Sequence, residues 1–131
     1  MAARRQIWRP EVSTRLAGNV LVVSLSGRLG EAGARSEPLL AALAGAEPHQ
    51  AVVVDLSRLD YVSSPGVAHL AAFARTQAER GIPCVWCDLT EAVRISLDLA
   101  GTLPEFTLAM SREAAIEAAS RSASGSPPSV Q

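Results

Sequence analysis

At 131 residues and 13.7 kDa the chain suits one compact domain with short tails. Its 48% hydrophobic and 19% charged residues exclude a wholly disordered polymer. Twelve cations, every one an arginine, face thirteen carboxylates for a net charge of −1, which supplies no field for gripping a polyphosphate backbone and argues against nucleic acid as a partner.

Residues 1–10 are basic and broken by Pro10, and read as a loosely attached leader. Val12 to Leu16 alternates, Ala17-Gly18-Asn19 carries turn chemistry, and Val20 to Leu25 is β-branched and apolar, so the pair predicts a β-hairpin. A glycine-rich connection, Gly27 to Gly33, leads to a predicted helix over Ser36 to Leu43 with Ser36 as its cap. Ala51 to Leu56 is a continuous apolar strand of the kind covered on both faces. Val67, Leu70, Ala71, Ala74 and Ala78 then form one helical stripe that Gly81 ends. Ile82 to Cys87 predicts a short strand. Thr90 caps a helix with Val93, Leu97 and Ala100 on one face, closed by Gly101. Phe106 to Ala109 is a last strand, and Ser111 caps a helix running to Ala119. The remainder, residues 120–131, is Ser, Ala, Gly and Pro, the composition of a frayed tail.

Strands alternating with single helices imply βα crossovers and an α/β domain over residues 11–119. The expected sheet is mixed, mainly parallel and four- to five-stranded, with the antiparallel hairpin at one edge and about four helices. No apolar run approaches the ~20 residues needed to cross a bilayer. No apolar segment follows Arg4 and Arg5 as a secretory signal requires, and two cysteines fit a reducing compartment, so a cytoplasmic protein without membrane insertion is expected.

Little here suggests catalysis. Cys84 and Cys87 have redox spacing but lie inside a predicted strand, where they point to opposite faces, and two histidines, His49 and His69, do not complete a zinc set. Gly27, Gly30 and Gly33 repeat every third residue, which is not the dinucleotide fingerprint. Asp55 and Asp60 read as solvated loop carboxylates rather than an acid–base pair, and His69 as a half-buried structural histidine. No enzyme, cofactor or metal is expected.

The informative segment is Asp55-Leu56-Ser57-Arg58-Leu59-Asp60-Tyr61-Val62-Ser63-Ser64-Pro65-Gly66-Val67, a buried strand, a polar connection and a helix start. Ser64 is suited to cap that helix with Pro65 at its first position, a contribution of about 1 kcal/mol. A phosphate there would bring about −1.5 to −2 charges to the positive end of the helix dipole.

Val52-Val53-Val54-Asp55-Leu56, followed by Leu59, Tyr61-Val62, Ser64, Gly66 and Leu70, resembles the signature of the STAS domain, the family of sulphate transporters and anti-sigma factor antagonists. The likeness extends from Leu25-Ser26-Gly27-Arg28-Leu29 through Gly81-Ile82-Pro83 to Leu99-Ala100-Gly101 and Ser111 to Ala115. It implies a non-enzymatic binding module whose partner is an anti-sigma factor that is also a serine kinase. It implies phosphorylation at Ser64, reversed by a phosphatase, and a partner surface of Arg28, Gly30, Glu31, Ser63, Ser64, Pro65, Gly66 and Val67. The chain departs from the family pattern at Ser63 and Gly30, where the family carries Asp, and at Pro65, where it carries Ser or Thr. Members that are not phosphorylated act as signalling scaffolds or as cytoplasmic subunits of lipid transporters, which is the alternative role.

Overall fold

A computed structural model describes residues 11–29 and 51–124. The strands are β1 (Glu11–Ala17), β2 (Val20–Leu29), β3 (Ala51–Val62), β4 (Cys84–Cys87) and β5 (Thr107–Ala109). The helices are α1 (Ser64–Glu79), α2 (Glu91–Leu99) and α3 (Arg112–Ser124), with a 3₁₀ turn at Leu103–Glu105. They build one five-stranded sheet in the order β1-β2-β3-β4-β5. β1 pairs antiparallel with β2 through a turn at Gly18 and Asn19, and the other pairings are parallel. The expected hairpin edge and parallel interior are present. The helix expected over Ser36 to Leu43 lies outside the described residues.

Alternation along the strands divides the core in two. Leu21, Val23, Leu25, Val52, Val54 and Trp86 pack with Val67, Leu70 and Phe73 of α1 and with Val93 and Leu97 of α2. Val20, Val22, Val53, Val85 and Cys87 face the other way and pack against Ala115 and Ala119 of α3. Small aliphatics fill most of this volume, but its centre is aromatic. Trp86 makes T-shaped contacts with Phe106 and Phe73, at centroid separations of 4.7 Å and 6.1 Å.

The helix termini follow the expected chemistry. Thr90 Oγ1 accepts from the Val93 N–H (3.4 Å) and Ser111 Oγ from the Ala114 N–H (3.1 Å). Gly81 and Gly101 follow the C-caps of α1 and α2 with φ of 74° each, a left-handed conformation that glycine adopts without strain. At the C-terminus the chain departs from expectation, because α3 continues to Ser124 where a tail was expected from residue 120. Ala115 and Ala119, four residues apart, are fully buried on the sheet and hold that helix in place.

β3 is the second departure. Its polar stretch, read as a connection, is strand throughout to Val62. Between Ser24 and Ser26 of β2 the partner strand advances from Asp55 to Arg58, and between Gly27 and Arg28 it advances from Leu59 to Tyr61. Each step inserts one extra residue in β3, a β-bulge. The cause is the apolar spacing. Leu56, Leu59 and Val62 recur every third residue, and a regular strand would turn Arg58 and Asp60 into the core instead. With two bulges Leu56, Leu59 and Val62 are all buried, while Ser57, Arg58, Asp60 and Tyr61 face outward. Gly27 to Leu29, expected in a loop, forms the end of β2 alongside this ribbon.

Candidate functional site

The bulged ribbon delivers the chain to α1. Ser63 is extended (φ −84°, ψ 174°), and its N–H donates to the Leu29 carbonyl at 3.0 Å. Its own carbonyl accepts from the Val67 N–H at 2.8 Å, so the helix starts one residue earlier than expected. Ser63, not Ser64, is therefore the N-cap: its Oγ accepts from the Gly66 N–H at 3.1 Å. Ser64 and Pro65 are the first two helical residues, where proline loses no intrahelical bond. Replacing Ser63 with alanine is expected to lower stability by about 1 kcal/mol, and Ser63→Asp to retain it, because a carboxylate caps as well and favours the helix dipole. Chemical denaturation of the two variants checks this.

Gly66 explains how closely α1 approaches the sheet. A Cβ there would lie 2.7 Å from Val62 Cγ2 and 2.8 Å from the Leu29 carbonyl oxygen. The oxygen belongs to a backbone group already bonded to Ser63 and cannot retreat freely. Gly66→Ala is expected to cost about 1–3 kcal/mol and to shift the amide resonances of residues 62–66, which two-dimensional NMR together with a melting curve would detect.

These constraints separate the predicted surface into exposed and supporting members. Ser64 and Pro65 are exposed, and Ser63 is half-buried. Gly66 and Val67 are buried and act from behind, the one by close approach and the other in the core. Arg28, half-buried, sits opposite Tyr61 in the register and stacks its guanidinium 4.6 Å from the ring centroid. Tyr61 keeps 37% of its surface exposed. Gly30 and Glu31 lie outside the described residues. Thr90 Oγ1 donates to the Leu59 carbonyl at 3.1 Å, fastening α2 to the same ribbon.

The electrostatics at Ser64 are simpler than an anion cradle. Pro65 brings no N–H, and the N–H groups of Gly66 and Val67 are both taken by Ser63. Only the amide of Ser64 itself is left in the first turn, so an anion on its oxygen meets the dipole but no ring of donors.

A second polar cluster escaped sequence reasoning. Asp55 is 5% exposed, not a solvated loop carboxylate. Its Oδ1 accepts from the Ser57 N–H at 2.9 Å, and its Oδ2 accepts from Arg112 Nη2 at 2.7 Å and Nε at 3.1 Å. Arg112 Nη2 also donates to Ser24 Oγ at 3.1 Å. Burial pushes the Asp55 carboxyl up, but the Ser57 hydrogen bonds and the Arg112 guanidinium more than offset it, and the group ends below the usual carboxylate value. The cluster borders an open crevice of about 590 Å³ that Ser13, Ser26, Ser57, Asp88 and Glu113 also line. A carboxylate inside an apolar strand was the available signal, since such a group needs a cationic partner. Asp60 is exposed, as expected.

The thiols are structural. Cys84 packs against the α1 side of the core and Cys87 against the α3 side, on opposite faces as the spacing predicts. Burial pushes both up to about 12, with Asp55 and Asp88 adding to the effect at Cys87, so neither is a thiolate at neutral pH. Asp55, Cys87 and Asp88 bring possible ligand atoms within 4.8 Å of one another, but Arg112 already occupies the Asp55 carboxylate and the thiol keeps its proton. His69 is half-buried on α1.

The profile of the family described as "Mlab, STAS domain" matches residues 12–102, which takes in the bulged ribbon, α1 and α2. The chain belongs to the STAS domain family. As a member of that family it is not an enzyme. BtrV of Bordetella bronchiseptica, described as a candidate anti-sigma factor antagonist, is 37% identical over 101 residues, covering 76% of this chain and 85% of BtrV. Among solved structures, an anti-sigma factor antagonist from Mycobacterium paratuberculosis superposes with a TM-score of 0.68 at 24% identity, covering 85% of this chain and 94% of the other. SpoIIAA in its unphosphorylated form gives 0.67 at 19% identity, with 82% and 95% covered. These two likenesses show the shared fold. Among the described residues no helix is long and apolar enough to cross a membrane.

Proposed function

We propose that this STAS domain is an anti-sigma factor antagonist. It docks a kinase-type anti-sigma factor on the face formed by Arg28, Tyr61, Ser63, Ser64 and Pro65, and so releases a sigma factor. Phosphorylation of Ser64 by that kinase switches the contact off, and a phosphatase restores it. The observation that carries the reading is the placement of Ser64. Its side chain is exposed at the first position of a helix whose start is fixed by the Ser63 cap and the Gly66 contact. The 37% identity to BtrV supports the partner class.

Ser63 stands where the family carries Asp, and the geometry supports the exchange, since a hydroxyl supplies the same cap acceptor. Binding of the wild type to the kinase-type anti-sigma factor of its own genome, measured by calorimetry against Tyr61→Ala, tests the docking face. A partly exposed tyrosine stacked by an arginine has the character of an interface anchor. Wild-type affinity in the micromolar range or tighter, lowered about tenfold by the substitution, is expected. Absence of wild-type binding overturns the reading.

One observation favours a second role, a STAS scaffold or transporter subunit that is never phosphorylated. Pro65 and the Ser63 cap leave a single amide to receive a phosphate. Under that reading the same face binds its partner without a covalent switch.

A further inference from the structure

A bulge in a strand leaves an amide outside the ladder, and a buried amide without an acceptor is costly. At the first bulge of β3 the Ser57 N–H finds its acceptor in Asp55 Oδ1, two residues earlier in the chain. The carboxylate that does this is itself buried, and its charge is sustained by Arg112 from the first turn of α3, through two hydrogen bonds to Oδ2. Arg112 also reaches Ser24, the residue opposite Asp55 on β2. β2, β3 and α3 therefore meet at one ion pair immediately before the ribbon that carries Arg58, Asp60 and Tyr61.

We propose that Asp55 and Arg112 are positioning residues for the docking face: together they hold the first bulge of β3 in place and thereby fix which side chains of residues 57–61 face a partner. Neither residue needs to touch the partner. Asp55 is buried, and Arg112 is engaged on the α3 side of the sheet. The hydrophobic spacing of Leu56, Leu59 and Val62 calls for two bulges in β3, and the Asp55 contact pins the first of them at Ser57. The proposal rests on the docking reading above, in that the ribbon it positions carries Tyr61 of that face against Arg28.

Amide hydrogen exchange on the intact chain, well below the melting temperature, separates positioning from general stability. In Asp55→Ala the amides of residues 57–61 are expected to exchange at least tenfold faster than in the wild type, with those of Val53 and Val85 unchanged. Asp55→Asn keeps an acceptor for Ser57 and is expected to restore much of the protection. Arg112→Lys keeps the charge but loses the two-point contact and is expected to fall between them. Uniform acceleration across the sheet, or none at Ser57, overturns the proposal.

Affinity for the kinase-type anti-sigma factor is expected to drop about tenfold in Asp55→Ala and to recover partly in Asp55→Asn. Unchanged affinity with locally faster exchange overturns positioning while leaving the docking face intact. If the wild type itself does not bind that factor, the docking reading fails and the proposal fails with it.

Discussion

Phosphorylated at Ser64, the protein is expected to bind its anti-sigma factor at least a hundredfold more weakly than the unmodified form, and Ser64→Glu about tenfold more weakly. A hundredfold loss corresponds to about 3 kcal/mol. The size follows from where the phosphate is forced to sit. Ser64 is exposed at the start of α1, flanked by Pro65 without an N–H and by Gly66, whose N–H is committed to Ser63. The phosphoryl oxygens cannot fold back onto the helix terminus as they would into a loop of free amides. Their bulk, charge and hydration are therefore presented outward, where a docked partner must displace or accommodate them. Glutamate carries one charge and a planar head, which accounts for the smaller loss. Titration calorimetry with the three forms measures both effects, and equal affinities would contradict them.

Trp86→Ala is expected to lower the unfolding free energy by about 3–5 kcal/mol. The indole is 1% exposed, on a short interior strand, in T-shaped contact with Phe73 and Phe106. Both rings come from segments that depend on it, Phe73 from α1 and Phe106 from the approach to β5. A cavity at that point cannot collapse without moving the helix that carries Ser64, so the loss of stability should be accompanied by reduced affinity at temperatures where the variant is still folded. Urea denaturation gives the first quantity. A change below about 1 kcal/mol, the size of an ordinary surface substitution, would show the aromatic cluster to be dispensable.

Much of the architecture is legible in the residues because local signals and burial agree. Val20 to Leu25 and Ala51 to Leu56 are apolar enough to be strands only inside a covered sheet, and Thr90 and Ser111 cap where expected. The misplaced features are those decided by contacts distant in sequence. The N-cap of α1 moved from Ser64 to Ser63 because the Leu29 carbonyl, on a different strand, holds Ser63 extended. The ion pair of Asp55 joins residues 57 apart and has no local signature beyond a charge in an apolar run. The bulges were recoverable in principle, since apolar residues at every third position contradict the period of a regular strand, but only a register with β2 shows where the extra residues go. The extension of α3 to Ser124 continues a helix that Ala115 and Ala119 anchor to the sheet, into a Ser-rich stretch whose composition reads as a tail.

The proposed switch at Ser64 is tested most directly by incubating the protein with a kinase-type anti-sigma factor and ATP and then measuring intact mass. One phosphate is predicted on the wild type and on Ser63→Ala, and none on Ser64→Ala. A wild type that takes up no phosphate, or a phosphate that persists in Ser64→Ala, would contradict a switch at Ser64.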